Sequence, residues 1–145
     1  MRDHLQLRFQ ADGSEVRQVL RRAVRRFADA ISAEDIGTLE LVLAEVLNNV
    51  VEHAYASRPP GPVRLSLQRQ GISLTCQVED EGAPMPGLRP PEGGLRHFTG
   101  NIQDLAEGGW GWALIRALTA DLRYARHRNI NQLSFRLPLA GCQPP

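Results

Sequence analysis

Residues 43–55 read LAEVLNNVVEHAY, and the reading of this stretch decides the fold. Residues four apart on an α-helix lie one above another, so Glu45, Asn49 and His53 form a polar column with Asn48 and Glu52 beside it. At about 100° per residue, Leu43, Val46, Leu47, Val50 and Val51 fall on the opposite side, an ordinary buried face. The apolar side fixes the helix. The column is then either a solvated face or one wall of a site, and partners elsewhere in the chain decide which.

Upstream, residues 4–10 alternate Leu5, Leu7 and Phe9 with polar neighbours, which predicts a short half-buried strand. Asp12 and Ser14 supply N-cap chemistry, with Glu15 three residues after Asp12. Beyond them Val16, Val19, Leu20, Ala23 and Phe27 recur at helical spacing. The other face of this first helix carries Arg17, Arg21, Arg22, Arg25 and Arg26, a basic patch that serves either solubility or docking to an acidic partner. The second helix is expected over residues 35–56, stopping before Arg58, Pro59, Pro60 and Gly61.

Downstream, Val63, Leu65 and Leu67, then Ile72, Leu74, Cys76 and Val78, alternate on either side of Gln70 and Gly71, the pattern of a β-hairpin. The second of these strands runs straight into Asp80. A Pro- and Gly-rich stretch from residue 81 to about 109 is too long for a plain connection and reads as a lid, a binding loop or disorder. A third helix over about 112–120 and strands over 122–127 and 132–137 close the chain. The order β-α-α-β-β-loop-α-β-β predicts an α+β two-layer sandwich, with helices packed on one face of a sheet.

The bulk numbers set limits. With 145 residues, 42% of them hydrophobic, the chain fits a single domain over 1–145 with its own core. A net charge of +1 gives no overall field that would draw it onto nucleic acid or a membrane, so an electrostatic partner must be met by a local patch. All 17 basic residues are Arg. A phosphate-binding loop of the GxxxxGK[ST] kind and lysine-based mechanisms are therefore excluded. Cys76 and Cys142 lie too far apart in sequence to suggest a disulfide framework or a metal site. No apolar run reaches the roughly 18 residues needed to span a bilayer, and MRDHLQLRFQ lacks a signal-peptide core, so a reducing cytoplasm is expected.

Two further motifs accompany the polar column. In VEDEGAPMP a strand delivers Asp80 to its end, and Gly82 is expected to let the chain turn sharply at low steric cost. In EGGWGWALIRAL, Gly108, Gly109 and Gly111 open a helix, leaving bare backbone N–H groups at its positive end. Taken singly, the first is as readily a turn and the second a hinge.

Together, in this order and spacing, the three motifs resemble the N, G1 and G2 boxes of the GHKL ATPase superfamily, whose nucleotide-binding fold is the Bergerat fold. More closely, the chain resembles the small stand-alone serine kinases that act as anti-sigma factors, of the RsbW and SpoIIAB kind. The likeness runs from the Arg-rich first helix through ELVLAEVLNNVVEHAY and GGWGWALIRALTADLRY to the closing NQLSFRLPL. It implies a mixed, mostly antiparallel sheet with helices on one face.

It also implies roles. Glu45 corresponds to the general base and Asn49 to the Mg²⁺ ligand. A carboxylate is ionised at neutral pH and can take the proton of a serine hydroxyl as it attacks the γ-phosphate of ATP. An amide oxygen is a neutral hard ligand suited to Mg²⁺. Asp80 corresponds to the acceptor for the adenine amino group, which favours ATP over GTP by about 1–3 kcal/mol for one misfit. Gly82 belongs to the same nucleotide box. Gly109 and Gly111 bring backbone N–H groups to the phosphates in place of a lysine. Arg96 and Thr99, with Arg89 and His97, are the candidate γ-phosphate contacts, and His53 is expected to support the site by hydrogen bonding.

The chain departs from the family in the short G1 box, where Ala83 and Pro84 stand in place of a second glycine. Trp110 and Trp112 replace aliphatic residues, and their bulk narrows the phosphate end. No glycine precedes Asn131. The implied partners are a sigma factor, held inactive, and a STAS-type anti-anti-sigma factor phosphorylated on Ser. The resemblance allows a homodimer and implies no direct nucleic acid or membrane contact. The alternative is a non-catalytic switch of the same fold, sensing ATP or independent of nucleotide.

Overall fold

The structure, a computed structural model, describes residues 3–92 and 110–140. Strand β1 (His4–Gln10) turns its Leu5, Leu7 and Phe9 inward. Helix α1 (Gly13–Phe27) starts as expected at Asp12, whose extended backbone lets Oδ1 accept from the N–H groups of Ser14 at 2.7 Å and Glu15 at 3.3 Å. Helix α2 (Ala33–Asn49) begins earlier than its periodicity indicates, because Ser32 Oγ caps the N–H of Asp35 at 3.1 Å. It also ends as a regular helix earlier. Val50–Ala54 form one wide π-type turn, closed by Tyr55 N–H donating to Val50 O at 3.1 Å.

Strands β2 (Pro62–Gln70) and β3 (Ser73–Asp80) form the expected hairpin, but its two-residue turn is Gly71–Ile72. Gly71 adopts φ +62, the left-handed region such turns require. Ile72, expected inside, is 61% exposed for that reason. Helix α3 (Trp110–Leu118) starts two residues before its expected position, and β4 (Ala120–His127) and β5 (Ile130–Pro138) are each longer than expected. The turn between these two strands, Arg128–Asn129, has φ +53 and +65.

The five strands run in the order β1-β2-β3-β5-β4, every neighbouring pair antiparallel, so the mostly antiparallel sheet that was expected is uniformly antiparallel over the described residues. Period-two alternation then dictates the layers. Leu65, Leu74, Val78, Phe135 and Leu137 point to one face and pack with Phe27, Leu39, Leu43 and Ile115 of the helices. Each such side chain contributes about 1.5–3 kcal/mol on burial. Gln6, Arg8, Arg64 and Gln68 occupy the opposite, uncovered face. The result is a two-layer α+β sandwich. Asp80 at the end of β3 and Asn131 at the start of β5 are paired across the ladder, so both reach the same end of the sheet.

Candidate functional site

One cavity of about 540 Å³ lies between α2 and that end of the sheet. Its apolar wall includes Val46, Val50, Val78, Met85, Trp112 and Leu133, and its polar groups come from Asn49, His53, Asp80, Tyr124 and Asn131. A mostly apolar cleft with a few converging polar groups is the form small-molecule sites take.

The polar end is built by strand phase. Asp80 follows Leu74, Cys76 and Val78 on the inward side of β3, and Asn131 precedes Leu133, Phe135 and Leu137 on the inward side of β5. Both are buried, at 7% and 3% exposure. Asp80 Oδ1 accepts from Gly82 N–H at 2.9 Å and from Asn131 Nδ2 at 2.8 Å. Asn131 Nδ2 also donates to Ala83 O at 2.8 Å, with Gly82 O at 3.3 Å. Asn131 Oδ1 accepts from the Tyr124 hydroxyl and from Arg126 at 2.8 Å, while Tyr124 Oη accepts from Met85 N–H at 3.0 Å. Burial pushes the Asp80 carboxyl above the usual aspartate range, opposed by the Asn131 and Gly82 hydrogen bonds and by the charges of Arg126 and Arg58.

Gly82 earns its identity differently from the sequence-based expectation. Its φ is not positive. Instead a Cβ there would lie 2.4 Å from Ala54 O, because the strand end packs directly on the backbone of the wide turn, and the next residue's N–H bonds Ala54 O at 2.7 Å. Tyr55 ties the same corner. Its hydroxyl donates to Pro62 O at 2.9 Å and accepts from Glu81 N–H at 2.8 Å.

On the helical side, Asn49 is half-buried in the cavity wall, and its Nδ2 is buried with no hydrogen-bond partner among the described residues. An unpaired amide N–H can only donate, so this atom suits an acceptor on a ligand, such as a phosphate oxygen, while the amide oxygen on the same head is the neutral hard donor that Mg²⁺ takes. The column expected from Glu45 to His53 is regular only as far as Asn49, and the wide turn then carries His53 to the exposed rim. Glu45 lies outside the cavity lining, one turn back, against the first turn of α3. A Cβ on Gly111 would stand 2.5 Å from Glu45 Oε2. Next to it, Trp112 is buried and forms part of the cavity wall. From the exposed side of α3, Arg116 holds the carbonyls of Pro90 and Pro91 at 3.0 and 2.8 Å. Arg89 is exposed on the surface. Gly108, Gly109, Arg96, His97, Thr99 and the side chain of Trp110 lie outside the described residues.

Of the expected site residues, Asn49, His53 and Asp80 thus share one cavity, Gly82 stands behind its wall, and Glu45 meets Gly111 beside it. Tyr124, Arg126 and Asn131 were missed as site residues. The available signal was a carboxamide in the inward phase of a strand otherwise filled by Leu133, Phe135 and Leu137. Among the described residues no group of three or more His, Cys, Asp or Glu is placed to hold a metal ion, and no helix is long and apolar enough to cross a membrane.

Three comparisons bear on this arrangement. Residues 9–137 match the family described as Histidine kinase-like ATPase domain. The serine/threonine-protein kinase BtrW of Bordetella bronchiseptica is 31% identical over 101 residues, 68% of this chain and 67% of that protein. The solved structure of the RsbU and RsbW domains of a Mycobacterium tuberculosis protein shares the fold with a TM-score of 0.64 at 19% identity, over 94% of this chain. This chain spans only 32% of that one. With a match across nearly all of its length, and with Asn49 and Asp80 facing one cleft, the chain belongs to the histidine kinase-like ATPase family.

Proposed function

We propose that the cavity binds ATP and that the chain transfers its γ-phosphoryl group to a serine of a protein antagonist, acting also as the inhibitor of a sigma factor. The observation that carries this reading is convergence. Asn49 from α2 and Asp80 from the end of β3 face one cleft, while Glu45, one helical turn from Asn49, abuts the first turn of α3.

In this reading the adenine amino group donates to Asp80, whose Oδ1 is already occupied and whose Oδ2 has no protein donor among the described residues. Val46, Val78, Met85 and Leu133 exclude water around the base. The phosphates extend toward the N-terminus of α3, where Gly111 brings its backbone N–H. Asn49 would hold Mg²⁺ through its amide oxygen. When bound, the ion offsets the negative charge of the phosphate oxygens. Glu45 accepts the proton of the attacking serine hydroxyl, and Gly111 leaves the space its carboxylate needs. The kinase name of the Bordetella relative supports the transfer chemistry, and the RsbW domain of the mycobacterial neighbour supports partner switching.

The Arg17, Arg21, Arg22, Arg25 and Arg26 face of α1 is suited to an acidic surface on the sigma factor or antagonist. Arg21→Glu with Arg25→Glu should weaken both complexes, and unchanged affinities would remove α1 from the interface. The central test incubates the chain with labelled ATP, Mg²⁺ and the cognate antagonist. Wild type should label the antagonist on Ser, and Glu45→Ala should bind ATP without labelling it. Binding without transfer in the wild type would leave an ATP-sensing switch; absence of binding would reject the ATP site.

A further inference from the structure

The amide of Asn131 has no freedom to flip. Arg126 can only donate, and the carbonyls of Gly82 and Ala83 can only accept, so Oδ1 must face Arg126 and Nδ2 must face the carbonyls. With that orientation fixed, one Nδ2 proton is committed to Asp80 Oδ1 at 2.8 Å. Gly82 N–H takes the same oxygen at 2.9 Å. Tyr124 completes the lock, since its hydroxyl proton goes to Asn131 Oδ1 and its oxygen receives Met85 N–H. Both donors to Asp80 therefore fall on one oxygen, and its other oxygen carries no protein hydrogen bond among the described residues, although Asp80 lines the cavity.

We propose that Asn131 is the positioning residue for base selection: by engaging Asp80 Oδ1 it leaves Oδ2 as the acceptor offered to a nucleobase, and so favours a purine with an amino group at position 6 over one with a carbonyl there. The proposal rests on reading the cavity as an ATP site. Without Asn131 the carboxylate keeps only the Gly82 N–H and is free to rotate, sharing its two oxygens between solvent, Arg126 and ligand. The preference for the amino group then falls, although the apolar walls that hold any purine remain.

The test measures dissociation constants of ATP, inosine triphosphate and purine riboside triphosphate, whose position 6 carries only hydrogen, for wild type, Asn131→Leu and Tyr124→Phe. Wild type should prefer ATP to inosine triphosphate. Asn131→Leu should reduce that ratio by at least about 5-fold, the scale of one buried hydrogen-bond misfit, and leave purine riboside triphosphate binding nearly unchanged. Tyr124→Phe, which removes one donor to Asn131 Oδ1 and keeps Arg126, should move the ratio in the same direction by less. It also answers the question if Asn131→Leu fails to fold. An equal loss for all three nucleotides would make Asn131 a structural residue only and overturn the proposal, as would an unchanged ratio. If wild type binds none of the three, the ATP reading itself fails; if it binds ATP and the ratio is insensitive to these substitutions, only the role of Asn131 falls.

Discussion

Replacing Gly82 with Ala tests the close packing of the β3 end on the wide turn behind the cavity wall. The new Cβ would stand 2.4 Å from Ala54 O, 2.6 Å from its carbonyl carbon and 2.7 Å from its Cβ. Carbon atoms pack best at about 3.5–4.0 Å, so the end of β3 and the wide turn must part by about 1 Å. Neither side can yield by a rotamer change, because the obstacle is backbone. Overpacking of this kind costs about 1–3 kcal/mol, and parting the chains also strains the 2.7 Å bond from Ala83 N–H to Ala54 O, worth about 0.5–1.5 kcal/mol. Together these give a loss of roughly 2–4 kcal/mol. At about 3 °C per kcal/mol for a chain of this size, Tm should drop by roughly 6–12 °C. Circular-dichroism melts with matched urea titrations measure it. Gly37→Ala serves as the opposite case, since a Cβ there meets nothing within 4 Å inside α2, and it should gain about 0.5–1 kcal/mol. A Gly82→Ala loss below about 0.5 kcal/mol, within the range of neutral surface changes, would refute the close-approach account.

Other perturbations separate the parts of the site. At Gly111 the obstacle to a Cβ is the flexible end of Glu45, so Gly111→Ala should fold with little loss of stability yet displace the carboxylate, lowering phosphoryl transfer roughly 100-fold. Full activity would detach Glu45 from catalysis. Asp80 is held above its ordinary value of 3.8, so the folded chain keeps that proton to higher pH than the unfolded chain does. Its contribution to stability is present below about pH 3.8 and declines as pH rises through the folded value. Asp80→Asn cannot ionise, so urea midpoints of the two proteins should diverge in favour of Asn from about pH 4 upward; a divergence in the other direction would contradict the burial assigned to Asp80. Finally, the β4–β5 turn asks Arg128 and Asn129 for positive φ. Converting them together, Arg128→Asn with Asn129→Gly, should raise stability by about 1 kcal/mol in the same titration, and no gain would show that the turn carries no strain.

The sequence made the helix faces, the order of elements along the chain and the position of Asp80 at a strand end legible, because each depends on a periodicity that local chemistry enforces. Val16, Val19, Ala23 and Phe27 are buried where a 3.6-residue repeat requires. Three other features depend on more than local spacing. The wide turn after Asn49 arises in a stretch whose apolar spacing suits an ordinary helix, so His53 was expected in line with Glu45 and instead reaches the rim. The reason for Gly82 lies in Ala54, a neighbour in space only. Asn131 sat in plain view as a polar residue in an inward strand phase, yet only the β3–β5 register puts it against Asp80. Ile72 failed for a simpler reason: it belongs to the two-residue turn and not to the strand, so the alternation that buries Leu74, Cys76 and Val78 starts only after it.

Asp80 and Asn131 belong to different hairpins, β2–β3 and β4–β5, and the bond between them closes a span of 51 residues. Each hairpin can zip up from its own two-residue turn, whereas the junction between them must await the closure of a long intervening segment. If Asp80 and Asn131 select the base as proposed, that competence is a property of the assembled sheet and of neither half, and a refolding chain should regain its β-sheet circular dichroism before it regains affinity for adenosine.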